Sequence, residues 1–243
     1  MLSKTKAIVL HSIKYGETRL IVDMFTRSHG RLSFIVSLPK TPRGGVRKQY
    51  FQPLTILETE VDVRPGAELH RLKSAGLGWT YESVTTEADK LAISLFLAEF
   101  LYYALRGEQR NEALYDYIEY SMKWLDGRRG DYANFHLVML MRMSRLLGFY
   151  PNVEDYKEGS YFDLREGVFC EQRPMHRDFL DTNDAGRIRT MLRMDYGNMH
   201  LFRMTHEERG RLIEVATLYY RLHLPDFPEL RSLDVLREVY GGL

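Results

Sequence analysis

Over residues 7–76 the apolar side chains fall in short alternating runs broken by turn residues, a period-two pattern that predicts β-strands. AIVLHSIKY (Ala7 to Tyr15) stops at Gly16, RLIVDMFT (Arg19 to Thr26) stops at RSHG, and RLSFIVS (Arg31 to Ser37) puts Leu32, Phe34 and Val36 on one face. PLTILETEVDV (Pro53 to Val63) alternates Thr55, Leu57, Thr59 and Val61 against Leu54, Ile56, Glu58 and Glu60 before turning at RPG, and ELHRLKSA completes a set of five. Five β-rich segments in so short a stretch predict a small closed barrel of the OB type, because closure removes the open edges of a short antiparallel sheet.

From about Thr86 the period changes to three and four residues. Thr86 with Asp89 has the pattern of a helix start, and ADKLAISLFLAEFLYYAL is apolar around most of its circumference, as suits a core helix. NEALYDYIEYSMKWL (Asn111 to Leu125) runs to a DGRRGD loop, and ANFHLVMLMRMSRLLG (Ala133 to Gly148) ends on a C′ glycine with Pro151 three residues on. Thr205 and Glu208 match a capping box ahead of ERGRLIEVATLYYRLHL, and Ser232 is placed to cap SLDVLREVY. The fold class expected is α+β, with a barrel over residues 1–80 and a mainly helical domain over 81–243. Residues 152–179 form an insertion, read as a hairpin turning at Glu166-Gly167 within YFDLREGVF.

The net charge of +1 hides an asymmetry. Residues 1–80 hold 13 Lys and Arg against 6 Asp and Glu, a balance of +7, and the remainder holds 21 against 27, a balance of −6. A basic half points to a polyanionic partner. The bias is steepest in PKTPRGGVRKQY (Pro39 to Tyr50), whose four basic residues face no acidic one and whose prolines and glycines exclude helix or central strand. The N-terminus has only four consecutive apolar residues, Ala7 to Leu10, too few for a secretory signal, and LAISLFLAEFLYYAL is too short to span a bilayer. One cysteine, Cys170, excludes an internal disulfide. These features lead us to expect a cytoplasmic protein.

Nucleotide-binding and hydrolase motifs are absent: the sequence has no G-x-x-x-x-G-K-[ST], no G-x-G-x-x-G after a strand, no H-E-x-x-H and no G-x-S-x-G. No catalytic residue and no cofactor are therefore expected. Structural zinc normally takes four Cys or His ligands, and the insertion supplies Cys170 and His176 only, so no metal is expected there either. The remaining signal is basic. Lys14, Arg19, Arg27, Arg31, Lys40, Arg43, Arg47 and Lys48 lie on turns and short strands, where charged side chains are expected to face outward and contact phosphates. Tyr15, Phe34, Tyr50 and Phe51 are the nearby aromatic candidates for base stacking, with Tyr50 adjoining the basic loop.

The order of these features resembles the RecO family of bacterial recombinational DNA-repair mediators. KAIVLHSIKYGETRLIVDMFTRSHGRLSFIV is similar to the family's opening, a strand, a Y-G-E-[ST] turn, a second strand ending in F-T and a glycine-marked turn into the third. The basic loop and QPLTILE follow in the family's order, and SRLLGFYPNVE resembles its L-L-x-x-x-G-[YF]-x-P segment. Many members follow that segment with four zinc-binding cysteines, which this chain lacks.

The resemblance implies an OB fold plus a helical domain that binds single- and double-stranded DNA, anneals complementary strands, and helps load the recombinase RecA onto protein-coated single strands. It implies RecR and the acidic, hydrophobic C-terminal tail of the single-stranded-DNA-binding protein as partners, and a nucleoid-associated location. Such a tail needs an apolar pocket with cations at its rim. Arg142 and Arg145 beside Met139 and Met143, and Arg189 and Arg193 within GRIRTMLRMDYGNMHLFRM, offer that combination. Two other readings fit the same charges, a non-catalytic adaptor for an acidic protein and an RNA-binding OB-fold protein.

Overall fold

The computed structural model describes residues 2–38 and 47–241, with side chains described as far as residue 236. Five strands, β1 (Leu2–Tyr15), β2 (Arg19–Thr26), β3 (Gly30–Ser37), β4 (Ile56–Asp62) and β5 (Leu69–Leu77), close into a barrel in the order β1-β2-β3-β5-β4. All pairings are antiparallel except β3 with β5. Ala7, Val9, Leu20, Val22, Met24, Phe34, Val36, Leu57 and Val61 fill the interior, joined by Phe51 from a short 3-10 helix, Lys48–Phe51. This is the OB-type barrel that the alternating runs predict.

β1 is long enough to serve both halves of the barrel. Its first half pairs with β4 and its second with β2, and the register slips between Val9 and His11. That bulge inserts Leu10 as an extra residue, so His11, Ile13 and Tyr15 fall on the outer face although Val9 faces inward.

The chain divides into two compact units, residues 1–127 and 128–243. The change from strand to helix comes near residue 80, as expected, but α1 (Ala88–Ala104) and α2 (Glu112–Gly127) belong to the compact unit that contains the barrel. α1 is buried along most of its length and packs on β1, while Leu91 and Leu95 stay exposed. Its start differs from the expected one. Glu87 occupies the N-cap without a side-chain cap bond, and the Thr86 hydroxyl instead donates back to the Glu82 and Ser83 carbonyls.

Backbone contact at one turn and a buried carboxylate at the β5–α1 junction help to seat this helical layer. Gly30, at φ 74°, lies against the 108–109 backbone, and the next amide, Arg31 N–H, donates to the Glu108 carbonyl at 3.0 Å. The buried Asp126 carboxylate at the end of α2 gathers the junction between β5 and α1: it accepts from Trp79 Nε1 and from the amides of Glu82, Ser83 and Val84. Ser83 Oγ also receives a 2.6 Å bond from Lys90 Nζ, whose side chain is fully buried and pairs with Glu87.

The second unit contains α3 (Phe135–Leu146), α4 (Ala185–Arg193), α5 (His206–His223) and α6 (Ser232–Gly241). The capping box forms as the sequence predicts, with Glu208 N–H donating to Thr205 Oγ1 at 3.2 Å and Thr205 N–H to Glu208 Oε2 at 2.9 Å. The insertion folds as a hairpin, β6 (Tyr161–Asp163) and β7 (Val168–Cys170), to which β8 (Phe179–Leu180) adds a third strand. Its interior is aromatic: Phe162 and Phe169 meet edge to face at 4.9 Å, and Tyr156 packs on Phe169 at 5.0 Å.

Candidate nucleic-acid interface

The β1–β2 hairpin carries the first two candidate cations. Lys14 pairs across from Leu20 and Arg19 from Tyr15, and the hairpin tip between them is exposed. The Leu38 amide donates to the Thr18 carbonyl at 2.7 Å, so the basic segment leaves β3 beside this tip. At the segment's far end Arg47 and Lys48 are exposed, Tyr50 packs half-buried on the barrel core, and Phe51 enters it. Both described ends of the segment are therefore anchored on the barrel. Lys40 and Arg43 lie outside the described residues.

Arg27 and Arg31 do not join these cations, contrary to the expectation that all of them are open to phosphate: Arg31 lies on the barrel's outer face, but α1 covers it. Arg27 donates to both oxygens of Asp116, at 2.7 and 2.9 Å, and pairs with Glu112 at 2.8 Å. The hydrogen bond to Asp116 holds its guanidinium above its ordinary pKa and holds the Asp116 carboxyl below its own. Arg31 has a side chain only 12% exposed. It donates to the Tyr102 carbonyl at 2.5 Å, lies 4.6 Å over the Tyr102 ring, and faces Asp23 at 3.5 Å. Lys6 is likewise committed, donating to Glu119 at 3.0 Å. Burial by itself would raise the Glu119 carboxyl, but its bonds from Lys123 and Lys6 bring it below the ordinary value. Opposite charges on α2 and the close approach of α1 thus take up the cations at one end of the barrel.

By contrast, Lys14, Arg19, Arg47 and Lys48 form no ion pair among the described residues. Of the aromatic candidates, Phe34 and Phe51 are core residues, and Tyr15 is 52% exposed on the outer face. Sequence reasoning did not single out Ile13, Ile21, Ile35 and Arg71, which the strand register places side by side on that same outer face. The signal was the alternation of β1 beyond the bulge, legible only once the bulge is located.

In the second unit Arg142 and Arg145 lie one turn apart on α3, with Arg145 over the Tyr150 ring at 5.4 Å, and Arg189 and Arg193 lie one turn apart on α4, with Arg189 over Tyr156 at 4.9 Å. Met139 and Met143, expected beside Arg142 and Arg145, are buried in the core, as are Met191, Met194 and Met199 of the second segment, while Met204 is half-buried. A groove of about 840 Å³ along α5 and α6 is lined by apolar residues such as Val215, Leu218 and Leu230, but also by Asp184, Glu207, Glu214, Glu229 and Asp234 against Arg211 and Arg221. That excess of carboxylates disfavours an acidic peptide.

The insertion does not fit a zinc ion. Cys170 Sγ faces the Tyr161 carbonyl at 3.9 Å, with its thiol pKa raised by burial, and His176 Nε2 is bonded to Asp163 at 3.0 Å. Among the described residues no group of three or more His, Cys, Asp or Glu is placed to hold a metal, and no helix is long and apolar enough to cross a membrane.

Two family models match the chain: the N-terminal model of recombination protein O over residues 1–78 and its C-terminal model over residues 86–234. The chain is 48% identical over 241 residues to the DNA repair protein RecO of Phocaeicola vulgatus and 47% identical over 241 residues to that of Bacteroides fragilis, covering 99% of this chain and all of each relative. It is 35% identical over 243 residues to the DNA repair protein RecO of Christiangramia forsetii, again across 99% of the chain and all of the relative. With the barrel matched by one model and the helical region by the other, the chain belongs to the RecO family.

Proposed function

We propose that the chain acts in DNA repair as a recombination mediator, binding single- and double-stranded DNA, annealing complementary strands and helping to load recombinase onto protein-coated single strands. The observation that carries this reading is the division of the barrel's cations. Lys6, Arg27 and Arg31 are committed to the helical layer, while Lys14, Arg19, Arg47 and Lys48 are exposed and form no ion pair among the described residues. Cations held on strand ends and turns, without carboxylate partners, suit phosphate chains. Lys40 and Arg43, from the same basic stretch of the sequence, belong to the proposed set.

Annealing needs no catalytic group. Two phosphate chains repel, and a surface that neutralises both while holding them close lowers the barrier to pairing through proximity and charge screening. RecR, the tail of the single-stranded-DNA-binding protein and, indirectly, RecA are the partners that the family resemblance implies, in the cytoplasm of a bacterium. Arg142, Arg145, Arg189 and Arg193 remain the proposed cations for the tail.

The test is fluorescence anisotropy of a labelled dT oligonucleotide at several salt concentrations. Changing Lys14, Arg19, Arg47 and Lys48 together to Ala is expected to flatten the plot of log K against log salt by about 3, at roughly 0.7 per lost phosphate contact on a single strand. An unchanged slope would remove these four residues from the interface. Arg31→Ala is the matched control. It is expected to lower stability by about 2 kcal/mol, through loss of its backbone bond and its stacking on Tyr102, with the salt slope unaltered.

A further inference from the structure

On the outer face of the barrel α1 reaches His11, whose ring meets Tyr102 at 4.9 Å, and leaves the rows beyond it open. The first open row runs across four strands, Ile13 opposite Ile21, Ile21 opposite Ile35, and Ile35 opposite Arg71. The second is Tyr15, Arg19 and Ser37. Ile13 is 47% exposed and Tyr15 52%, with Ile21 and Ile35 half-buried. Outward positions of a solvated strand are ordinarily polar, and three isoleucines on adjacent strands make a continuous apolar strip. Neighbouring strands are about 5 Å apart, so the strip is about 10 Å across the sheet. Arg71 ends it on one side and Arg19 borders it on the next row, and neither forms an ion pair among the described residues. Of the carboxylates near these rows, Asp23 is occupied by Ser33 and Arg31, and Asp62, opposite Arg71 on β4, pairs with Arg64 at 3.7 Å.

We infer that the Ile13–Ile21–Ile35 strip with Tyr15 is a platform for unpaired bases, and that it confers the preference for single strands over duplex. The inference rests on the DNA-binding reading above. An apolar strip bordered by two guanidinium groups that form no ion pair among the described residues matches a chain that is anionic along its backbone and apolar on its exposed faces. An unpaired strand presents such faces. A duplex stacks them inside and gains only from the cations, which it shares with the single strand. Affinity for either form therefore depends on Lys14, Arg19, Arg47 and Lys48, and discrimination between them depends on the strip.

The experiment compares a labelled dT oligonucleotide with a labelled duplex of equal length, using wild type, the double variant Ile13→Thr with Ile35→Thr, and Tyr15→Ala. Threonine keeps β-branching, and Tyr15 stands exposed at the hairpin end, so both variants are expected to melt as wild type does. Each is expected to lose about tenfold in dT affinity, keep duplex affinity within about twofold, and retain the wild-type salt slope. Parallel losses on both DNA forms, or undiminished dT binding, would overturn the platform while leaving the DNA-binding reading standing. Wild type binding neither form would overturn the DNA-binding reading and the platform with it.

Discussion

Gly30→Ala is expected to destabilise the protein by about 3 kcal/mol, and Gly16→Ala by only about 1 kcal/mol. Both glycines have positive φ, 74° and 71°, so both substitutions incur the backbone cost of a left-handed residue with a Cβ. They differ in what surrounds them. A Cβ at Gly30 would stand 2.4 Å from the Gln109 carbonyl carbon and 2.6 Å from the Glu108 oxygen, both backbone atoms, whereas nothing lies within 4 Å of one at Gly16. To admit the methyl group the 108–109 turn must move off the β2–β3 turn, lengthening the Arg31 to Glu108 bond and loosening the stacking of Arg31 on Tyr102. Urea denaturation of the two variants measures the difference. Equal losses would show that the helical layer is free to shift at this turn and is not tightly seated there.

Asp126→Ala is expected to cost about 3 kcal/mol, because it leaves the amides of Glu82, Ser83 and Val84 and the Trp79 indole without their shared acceptor. The same carboxylate makes stability depend on pH. Burial opposes its ionisation, but the bonds from the Ser83 and Val84 amides, from Trp79 and from Glu82 outweigh burial and hold its pKa below the ordinary carboxylate value. A depressed folded-state pKa means that the contribution is fully present above the unfolded value of about 4 and is lost as pH falls through the folded value. Asp126→Asn cannot lose a proton in this range, and its amide nitrogen turns a donor toward other donors. The variant is therefore expected to be less stable at pH 7 and to show a shallower fall in stability between about pH 5 and pH 2. Chemical denaturation across that range tests both parts. A fall as steep as in wild type would place the acid sensitivity on other carboxylates, of which Asp116 and Glu119 are similarly depressed by their cationic partners.

Much of the fold was legible because strand and helix periods are local. β2 begins and ends where RLIVDMFT does, and α1 coincides with the apolar run from Ala88 to within one residue of its end. The capping box needed only Thr205 and Glu208, three residues apart. The parallel pairing of β3 with β5 and the addition of β8 to the hairpin were not legible, since each joins segments whose own patterns do not name a neighbour. The bulge at Leu10 is similar: four consecutive apolar residues conceal the point at which the outer and inner faces exchange.

The candidate site divides along the same line. Composition and order along the chain determined that the barrel is basic, that the chain lacks familiar catalytic motifs, and that its motifs resemble one family. Which cations are uncommitted was decided only by the tertiary structure. Arg27 and Arg31 look like Arg19 and Arg47 in a linear reading, but Arg27 meets Asp116 across 89 positions and Arg31 meets Tyr102 across 71. Ion pairing and stacking depend on distance in space, and folding brings α1 and α2 to one end of the barrel while leaving the hairpin and the isoleucine rows open. Local periodicity specified the strands and helices, and long-range packing selected which of their outward side chains remain available to a partner.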